Sequence, residues 1–155
     1  LSLHDALPIW LAHEAQLKIL ELTAGKIATM YESPVGFRHG PKSLINDQTL
    51  VLVFGSIDPY TRQYDLDLVG EVAGDQIARQ VVLLTDQVTG IEHVREVLVE
   101  ASADSLDIYR AFSYIIYGQL ISLLTSLKVQ NRPDTPSPTG TVNRVVQGVV
   151  IHPFH

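Results

Sequence analysis

The stretch Gln48-Thr49-Leu50-Val51-Leu52-Val53-Phe54-Gly55 is a continuous apolar run bounded by turn residues. Runs of this kind are typical of a strand that is buried on both faces of a parallel sheet. Immediately after it, Ser56-Ile57-Asp58-Pro59 predicts the start of a helix, with Asp58 as the N-cap and Pro59 in the first turn. A buried strand followed at once by a helix favours an α/β fold.

The chain after this stretch continues the alternation of helix and strand. Apolar residues at helical spacing predict that the helix starting at Pro59 extends to about Ala78. A second long helix is predicted over 105–128, with Asp104 or Ser105 as its cap. This second helix is apolar nearly all round, so it needs cover on more than one side. Two further strands are predicted at Gln80–Thr85 and Glu96–Glu100, with a turn around Gly90 between them. The pattern predicts an α/β domain with a parallel sheet and right-handed crossovers.

The chain before the stretch predicts a helix over Trp10–Met30, because apolar residues recur there at helical spacing. Glu14 and Lys18 are four residues apart, which is a favourable spacing for an ion pair on a helix. Glu14 and Glu21 are seven residues apart, or two helical turns, so both carboxylates project from about the same side. Judged from these residues alone, this is an ordinary charged helix face.

The loop Glu32–Ile45 joins this helix to the strand and concentrates chemically active side chains between glycines and prolines. Pro41 is suited to begin a new helix, because its missing N–H would be unpaired at that position in any case. A rigid loop that presents His39 beside a helix start could perform acid–base chemistry on an anionic ligand. The alternative is that His39 is an exposed or purely structural histidine.

Composition and charge exclude several classes of protein. The 155 residues fit one domain, and a net charge of −6 argues against non-specific nucleic-acid binding because there is no basic surplus to neutralise phosphates. The lack of cysteine excludes disulfides and thiolate metal sites and suits a cytoplasmic location. The histidines are dispersed, so no metal site is predicted. The uncharged run Ala111–Leu127 is shorter than the roughly 20 residues that span a bilayer, so we predict a buried helix and no membrane partner.

The two ends of the chain differ from the middle. Residues 1–9 look like a translated sequencing adapter, and we exclude them from the fold as we would an affinity tag. We therefore expect residues 10–155 to be a piece of a longer protein. Within this piece, residues 131–155 form a tail whose first part is proline-rich and extended.

Three segments carry a resemblance to a known family: Glu14–Glu21, Glu32–Lys42 and Asn131–Asp134. Together they resemble the second half of a sugar isomerase (SIS) protein, above all the AgaS family of galactosamine-6-phosphate deaminase/isomerases, also described as tagatose-6-phosphate ketose/aldose isomerases. The resemblance covers Leu11 to Phe154. It implies a three-layer αβα sandwich with a mainly parallel sheet, in which residues 10–155 are the second SIS domain and the fold is incomplete at the N-terminus.

The resemblance also implies roles for individual residues. Glu21 matches the glutamate that moves a proton between C1 and C2 of the sugar. His39 matches the histidine that assists ring opening, commonly from a neighbouring subunit, and Glu14 matches a second active-site glutamate. The residues assigned to substrate binding are Arg38, Lys42 and Arg144.

The implied reaction converts galactosamine 6-phosphate to tagatose 6-phosphate and ammonia, without a cofactor, in a homo-oligomer. Three alternatives stay open: a ketose/aldose isomerase without ammonia release, a sugar-phosphate-sensing module and an interaction scaffold. The resembled family binds the phosphate mostly in its first SIS half, which this sequence lacks. We therefore expect this polypeptide to be inactive on its own.

Overall fold

A three-stranded parallel sheet lies at the centre of the computed structural model, which describes residues 7–100, 106–140 and 148–154. The strands lie side by side in the order β1-β2-β3, with Val53 opposite Leu83 and Leu83 opposite Glu96. The parallel α/β architecture predicted from the sequence is thus confirmed. In chain order the elements are α1 (Leu7–Leu22), α2 (Pro34–Arg38), a 3-10 helix (Pro41–Leu44), β1 (Leu50–Phe54), α3 (Pro59–Asp75), β2 (Gln80–Thr85), β3 (Val94–Leu98) and α4 (Asp107–Lys128).

The turn from β1 into α3 forms as predicted. Asp58 is the N-cap, and its Oδ1 accepts hydrogen bonds from the backbone N–H groups of Tyr60 at 3.1 Å and Thr61 at 2.8 Å. Gly55 is required at the end of the strand, because a Cβ at this position would lie 2.9 Å from the carbonyl oxygen of Leu84. The Gly55 N–H donates to that same oxygen at 2.9 Å, which extends the β1–β2 pairing by one residue.

Two helical layers cover the two faces of the sheet. On one face, α3 contributes Val69 and Val72 to a core that includes Leu83 of β2, and Phe37 of α2 packs against this cluster. On the other face, Ala15 of α1 and Tyr114 of α4 pack against Phe54 and Leu84. The fold is therefore the αβα sandwich that the resemblance implied.

Helices α1 and α4 approach each other closely through small residues. A Cβ on Gly118 would lie 3.0 Å from the Cβ of Ala15. The side of α4 that faces α1 and the sheet includes the fully buried Ser122 and Ser126, and the Ser122 hydroxyl donates to the Gly118 carbonyl at 2.6 Å. The outward side is apolar and uncovered, with Phe112 74% and Leu124 63% exposed. The prediction of a buried helix is therefore wrong for the outward side of α4, and cover on more than one side stays a prediction. No helix in the described part of the chain meets the length and hydropathy of a membrane span.

Both predicted ends of the first helix are wrong: α1 begins at Leu7, within the residues excluded from the fold, and ends at Leu22, eight residues before Met30. Ala24 and Gly25 both have left-handed backbone angles, with φ of 52° and 73°. The Gly25 N–H donates to the Leu20 carbonyl at 2.9 Å and the Ala24 N–H to the Glu21 carbonyl at 3.1 Å, which is the hydrogen-bond pattern of a Schellman cap. Apolar residues continue at helical spacing past Gly25, so the helix was predicted to run on although Gly25 indicates its end.

Other boundaries also differ from the prediction, including the end of β3, which is Leu98 and not Glu100. Helix α3 ends at Asp75, before a left-handed Gln76, and β3 begins two residues early, at Val94. Helix α4 begins at Asp107 with Leu106 as its N-cap; the predicted caps Asp104 and Ser105 lie outside the described residues. The Asp107 side chain is turned toward the β1–α3 loop, where its carboxylate accepts from the Ile57 N–H at 2.9 Å.

Candidate active site

The two acids predicted on α1 lie on the same side of the helix and share one cation. Lys18 Nζ is 3.0 Å from Glu21 Oε2 and 3.7 Å from Glu14 Oε1. The predicted Glu14–Lys18 ion pair is therefore confirmed, with Glu21 as a stronger second partner. The hydrogen bond from Lys18 to Glu21 is the main reason why the pKa of Lys18 is raised. Both carboxylates are partly exposed, so a ligand from solvent could reach them.

The turn that carries His39 lies between two short helical segments. Ser33 caps α2, with its Oγ accepting from the Gly36 N–H at 3.1 Å, and Pro34 occupies the first turn. His39 is exposed at the C-cap, and its backbone N–H donates to the Gly36 carbonyl at 3.0 Å. As predicted, Pro41 begins a new helical segment, which is a 3-10 helix. The segment before His39 forms the short helix α2, which was not predicted from the sequence.

The two cations that flank His39 are bound to acids of α3. Arg38 Nε is 2.8 Å from Glu71 Oε2, and Lys42 Nζ is 2.5 Å from Glu71 Oε1 and 2.6 Å from Asp75 Oδ2. The predicted substrate ligands Arg38 and Lys42 therefore belong to a four-residue ion-pair cluster in this structure. The third predicted ligand, Arg144, lies outside the described residues.

The predicted catalytic groups lie in different layers of the sandwich. Glu14 and Glu21 are on α1, which packs with α4 on one face of the sheet. His39 follows α2, which contacts α3 on the other face. Among the described residues, no hydrogen bond or ion pair joins His39 to either glutamate. The structure brings the two carboxylates together and leaves the histidine apart from them.

Sequence reasoning missed a buried polar cluster beyond the carboxyl end of β1. The Ser56 N–H donates to Asp65 Oδ2 at 2.8 Å, and the Ser56 hydroxyl donates to Asp107 Oδ2 at 2.5 Å. Asp65 is only 3% exposed. Burial raises its pKa to about 6, against the opposing effect of the hydrogen bond from Ser56.

A second part of the same cluster surrounds Asp86, directly after β2. Asp86 Oδ1 is 2.7 Å from Arg62 NH1, and Asp86 Oδ2 is 3.6 Å from Arg110 NH2. The buried Arg110 also donates to the Tyr114 hydroxyl at 3.1 Å. The carboxyl ends of parallel strands form the usual ligand crevice of α/β sheets, and polar residues directly after two adjacent strands were the available signal. Here these groups are largely engaged with one another and link α3 and α4 to the sheet.

Comparison with known proteins gives relatives that are similar over nearly the whole chain, although no family model matches it. The chain is 51% identical to a protein of Escherichia coli named D-galactosamine-6-phosphate deaminase AgaS, over 92% of this chain and 38% of that protein. It is 44% identical to a protein of the same name from Shewanella sp. strain ANA-3, over 93% of this chain and 35% of that protein.

The fold comparison agrees with the sequence comparison. The crystal structure of tagatose-6-phosphate ketose/aldose isomerase from Escherichia coli superposes with a TM-score of 0.81 and 45% identity, over 93% of this chain and 36% of that one. The chain thus spans little more than a third of the length of these relatives. The relatives in sequence are thus named as deaminases, and the solved structure is named as a ketose/aldose isomerase.

Proposed function

We propose that this chain, a homologue of the AgaS proteins with the α/β fold of the sugar isomerases, belongs to an enzyme that converts galactosamine 6-phosphate to tagatose 6-phosphate and ammonia. The observation that carries the proposal is the 51% identity to a protein named as this deaminase, over 92% of the chain. We assign residues 10–155 to the second SIS domain of that enzyme and leave residues 1–9 outside it.

In the proposed reaction, Glu21 is the base. Its carboxylate takes the proton from C2 of the opened aminosugar while the C1 oxygen is protonated, which gives an enolamine. Return of a proton at C1 and loss of a proton from nitrogen then leave an imine at C2. Water adds to this imine, the C–N bond breaks, and ketose phosphate and ammonia leave. The partial exposure of Glu21 and its place beside Glu14 on one side of α1 support a site that a sugar can enter.

We assign ring opening to His39, acting in the active site of a neighbouring copy of the chain. Two observations support this arrangement: α1 and α2 lie on opposite faces of the sheet, and His39 is exposed at the end of α2. An oligomer would also cover the apolar outward side of α4, where Phe112 is 74% exposed.

The assignment of Arg38, Lys42 and Arg144 to substrate binding stays a prediction. Glu71 and Asp75 balance the charges of Arg38 and Lys42. A neutral cluster attracts phosphate less than two unpaired cations would. We therefore expect any contact of these two residues with substrate to require that the cluster opens.

A second candidate function is ketose/aldose isomerisation without ammonia release. It is favoured by the likeness to a solved structure named tagatose-6-phosphate ketose/aldose isomerase. Proton transfer by Glu21 would be the same in both reactions. The difference is the group at C2, which is an amine in the first reaction and a hydroxyl in the second.

The test is ammonia release by a full-length chimera, in which residues 10–155 replace the matching region of the Escherichia coli AgaS relative. We expect ammonia from galactosamine 6-phosphate and little from glucosamine 6-phosphate, the control substrate. If neither amine reacts but tagatose 6-phosphate interconverts with its aldose, the deaminase proposal fails in favour of the isomerase. If nothing reacts, an enzymatic role is contradicted and a sensing module is favoured.

A further inference from the structure

We infer that Glu71 on α3 is a positioning residue that holds the turn carrying His39 in place. This inference rests on the proposed function, because it assumes that His39 acts on the sugar. Glu71 lies outside the segments that carry the family resemblance, and nothing in its own sequence context marks it. The argument for it is the geometry of the turn.

Glu71 uses its two carboxylate oxygens on the two sides of His39. Oε2 accepts from Arg38 Nε at 2.8 Å, one residue before the histidine. Oε1 accepts from Lys42 Nζ at 2.5 Å, three residues after it. A single carboxylate therefore joins both ends of the segment that runs from Arg38 to Lys42.

The chain on either side of this segment is fixed by apolar contacts. The core cluster that α3 forms with the sheet includes Leu68 and Val72, and Phe37 and Ile45 both pack against it. Between these two anchors, His39 and Gly40 are exposed. The contacts with Glu71, together with the Lys42–Asp75 ion pair, therefore tie the exposed part of the turn to α3.

The charges favour this arrangement over a wide pH range. The hydrogen bond from Lys42 is the main reason why the pKa of Glu71 is lowered, so its carboxylate stays ionised at neutral and mildly acidic pH. Asp75 is a second partner of Lys42, with its Oδ2 2.6 Å from Lys42 Nζ. Among the ion pairs of the described residues, none joins Asp75 to Arg38. Removal of Glu71 would release the Arg38 side and leave Lys42 with Asp75 as its remaining partner, whereas removal of Asp75 would weaken the Lys42 side only.

The first test uses the chain itself and does not depend on any enzymatic activity. Trypsin cleaves after Arg38 and Lys42 when the turn opens, and mass spectrometry follows each product. We expect Glu71→Gln to speed cleavage after Arg38 by about fivefold, because exposed ion pairs are individually weak. Cleavage after Lys42 should rise by less, because Lys42 keeps Asp75 as a partner. Asp67→Asn, a change at an exposed acid of the same helix, should leave them unchanged. Cleavage after the distant, exposed Arg79 reports any general loss of structure.

The second test measures steady-state kinetics in the full-length chimera. Misplacement of a reacting group by about 1 Å can cost on the order of 100-fold in rate, so we expect Glu71→Gln to lower kcat at least tenfold. KM should not rise, because Glu71 does not bind the substrate and its loss frees the Arg38 cation. Glu71→Asp keeps the charge and should recover part of the lost kcat, and Asp75→Asn should have a smaller effect than Glu71→Gln.

Two results would overturn the inference. One is a Glu71→Gln protein in which cleavage after Arg38 and Lys42 is no faster than in the parent chain. The other is a rise in KM at unchanged kcat, which would mean that the cluster binds substrate and does not position His39. If the parent chimera is inactive, the proposed function fails, while the cleavage test still decides whether Glu71 holds the turn.

Discussion

At the scale of single residues, Asp65 is the clearest case of a side chain whose chemistry depends on its burial. Its pKa of about 6 lies well above the ordinary value of 3.8, because burial disfavours the charged form and the nearby Asp107 adds repulsion. Arg62 and the hydrogen bond from Ser56 act in the opposite direction but are weaker in total. The protonated form of Asp65 is therefore favoured by folding.

This shift predicts that the folded state loses stability as the pH rises. The contribution of Asp65 is fully present below the unfolded pKa, near pH 4, and is lost as the pH rises through about 6. A shift of roughly two pKa units corresponds to about 3 kcal/mol. Urea unfolding of the parent chain should therefore give a free energy that falls between pH 4.5 and 8, and in Asp65→Asn this fall should be smaller by about 2 kcal/mol.

The control for this prediction is Asp67→Asn, which removes an exposed acid from the same helix. It should keep the pH dependence of the parent chain. If Asp65→Asn and the parent chain show the same pH dependence, Asp65 is ionised without cost in the folded protein, and the account of its burial is wrong.

The residue scale also shows which site features a sequence can disclose. Glu14 and Glu21 were predicted on one side of a helix because helical spacing alone determines that geometry, and Lys18 confirms it by pairing with both. Asp65 and Asp107 are 42 positions apart in the chain, and only the tertiary fold brings both to Ser56. Neither acid has a local pattern that distinguishes it from an exposed helix residue.

At the scale of elements, the contact between α1 and α4 depends on the absence of a side chain at Gly118. A Cβ there would lie 3.0 Å from Ala15 Cβ, and the two methyl groups of valine would need further room. We expect Gly118→Val to destabilise the fold by about 1–3 kcal/mol, as overpacking does. Gly70→Ala, at a helical position with open space around the added Cβ, should instead stabilise it by about 0.4–1 kcal/mol.

Urea unfolding at one pH measures both Gly118→Val and Gly70→Ala. Equal stabilities for Gly118→Val and the parent chain would contradict the close approach of the two helices. The apolar pattern of the sequence predicted α4 but did not predict which small residues of this helix face α1. Large apolar residues at helical spacing indicate a helix. The close contact between two helices is made by small residues, which do not contribute to that pattern.

Element boundaries were also predictable where the signal is local and were missed where it depends on the rest of the fold. The N-cap at Asp58 was predictable because a cap is local, and its two hydrogen bonds confirm it. The end of α1 was missed because apolar spacing runs on past Gly25, although the left-handed Ala24 and Gly25 stop the helix. The start of α4 was missed because Asp107 is turned toward Ile57 and Ser56, far away in sequence.

At the scale of the whole molecule, the alternation of buried strands and helices was enough to predict the parallel α/β sheet. The strand order β1-β2-β3 follows the chain order, and α3 is the helix that connects β1 to β2. The sequence did not predict which helix covers which face of the sheet. That distribution separates Glu21 from His39, and it is the reason why we assign the histidine to the site of a neighbouring copy.

The central claim is that Glu21 transfers the proton between C1 and C2, and solvent deuterium tests it most directly. Galactosamine 6-phosphate is incubated with the full-length chimera in deuterium oxide, and proton NMR follows the appearance of deuterium at C1 of tagatose 6-phosphate. General-base catalysis is typically worth about 100- to 10,000-fold, so Glu21→Gln should slow this labelling at least 100-fold, while the exposed-site control Glu92→Gln should not. Labelling in Glu21→Gln within threefold of the parent rate would contradict the account.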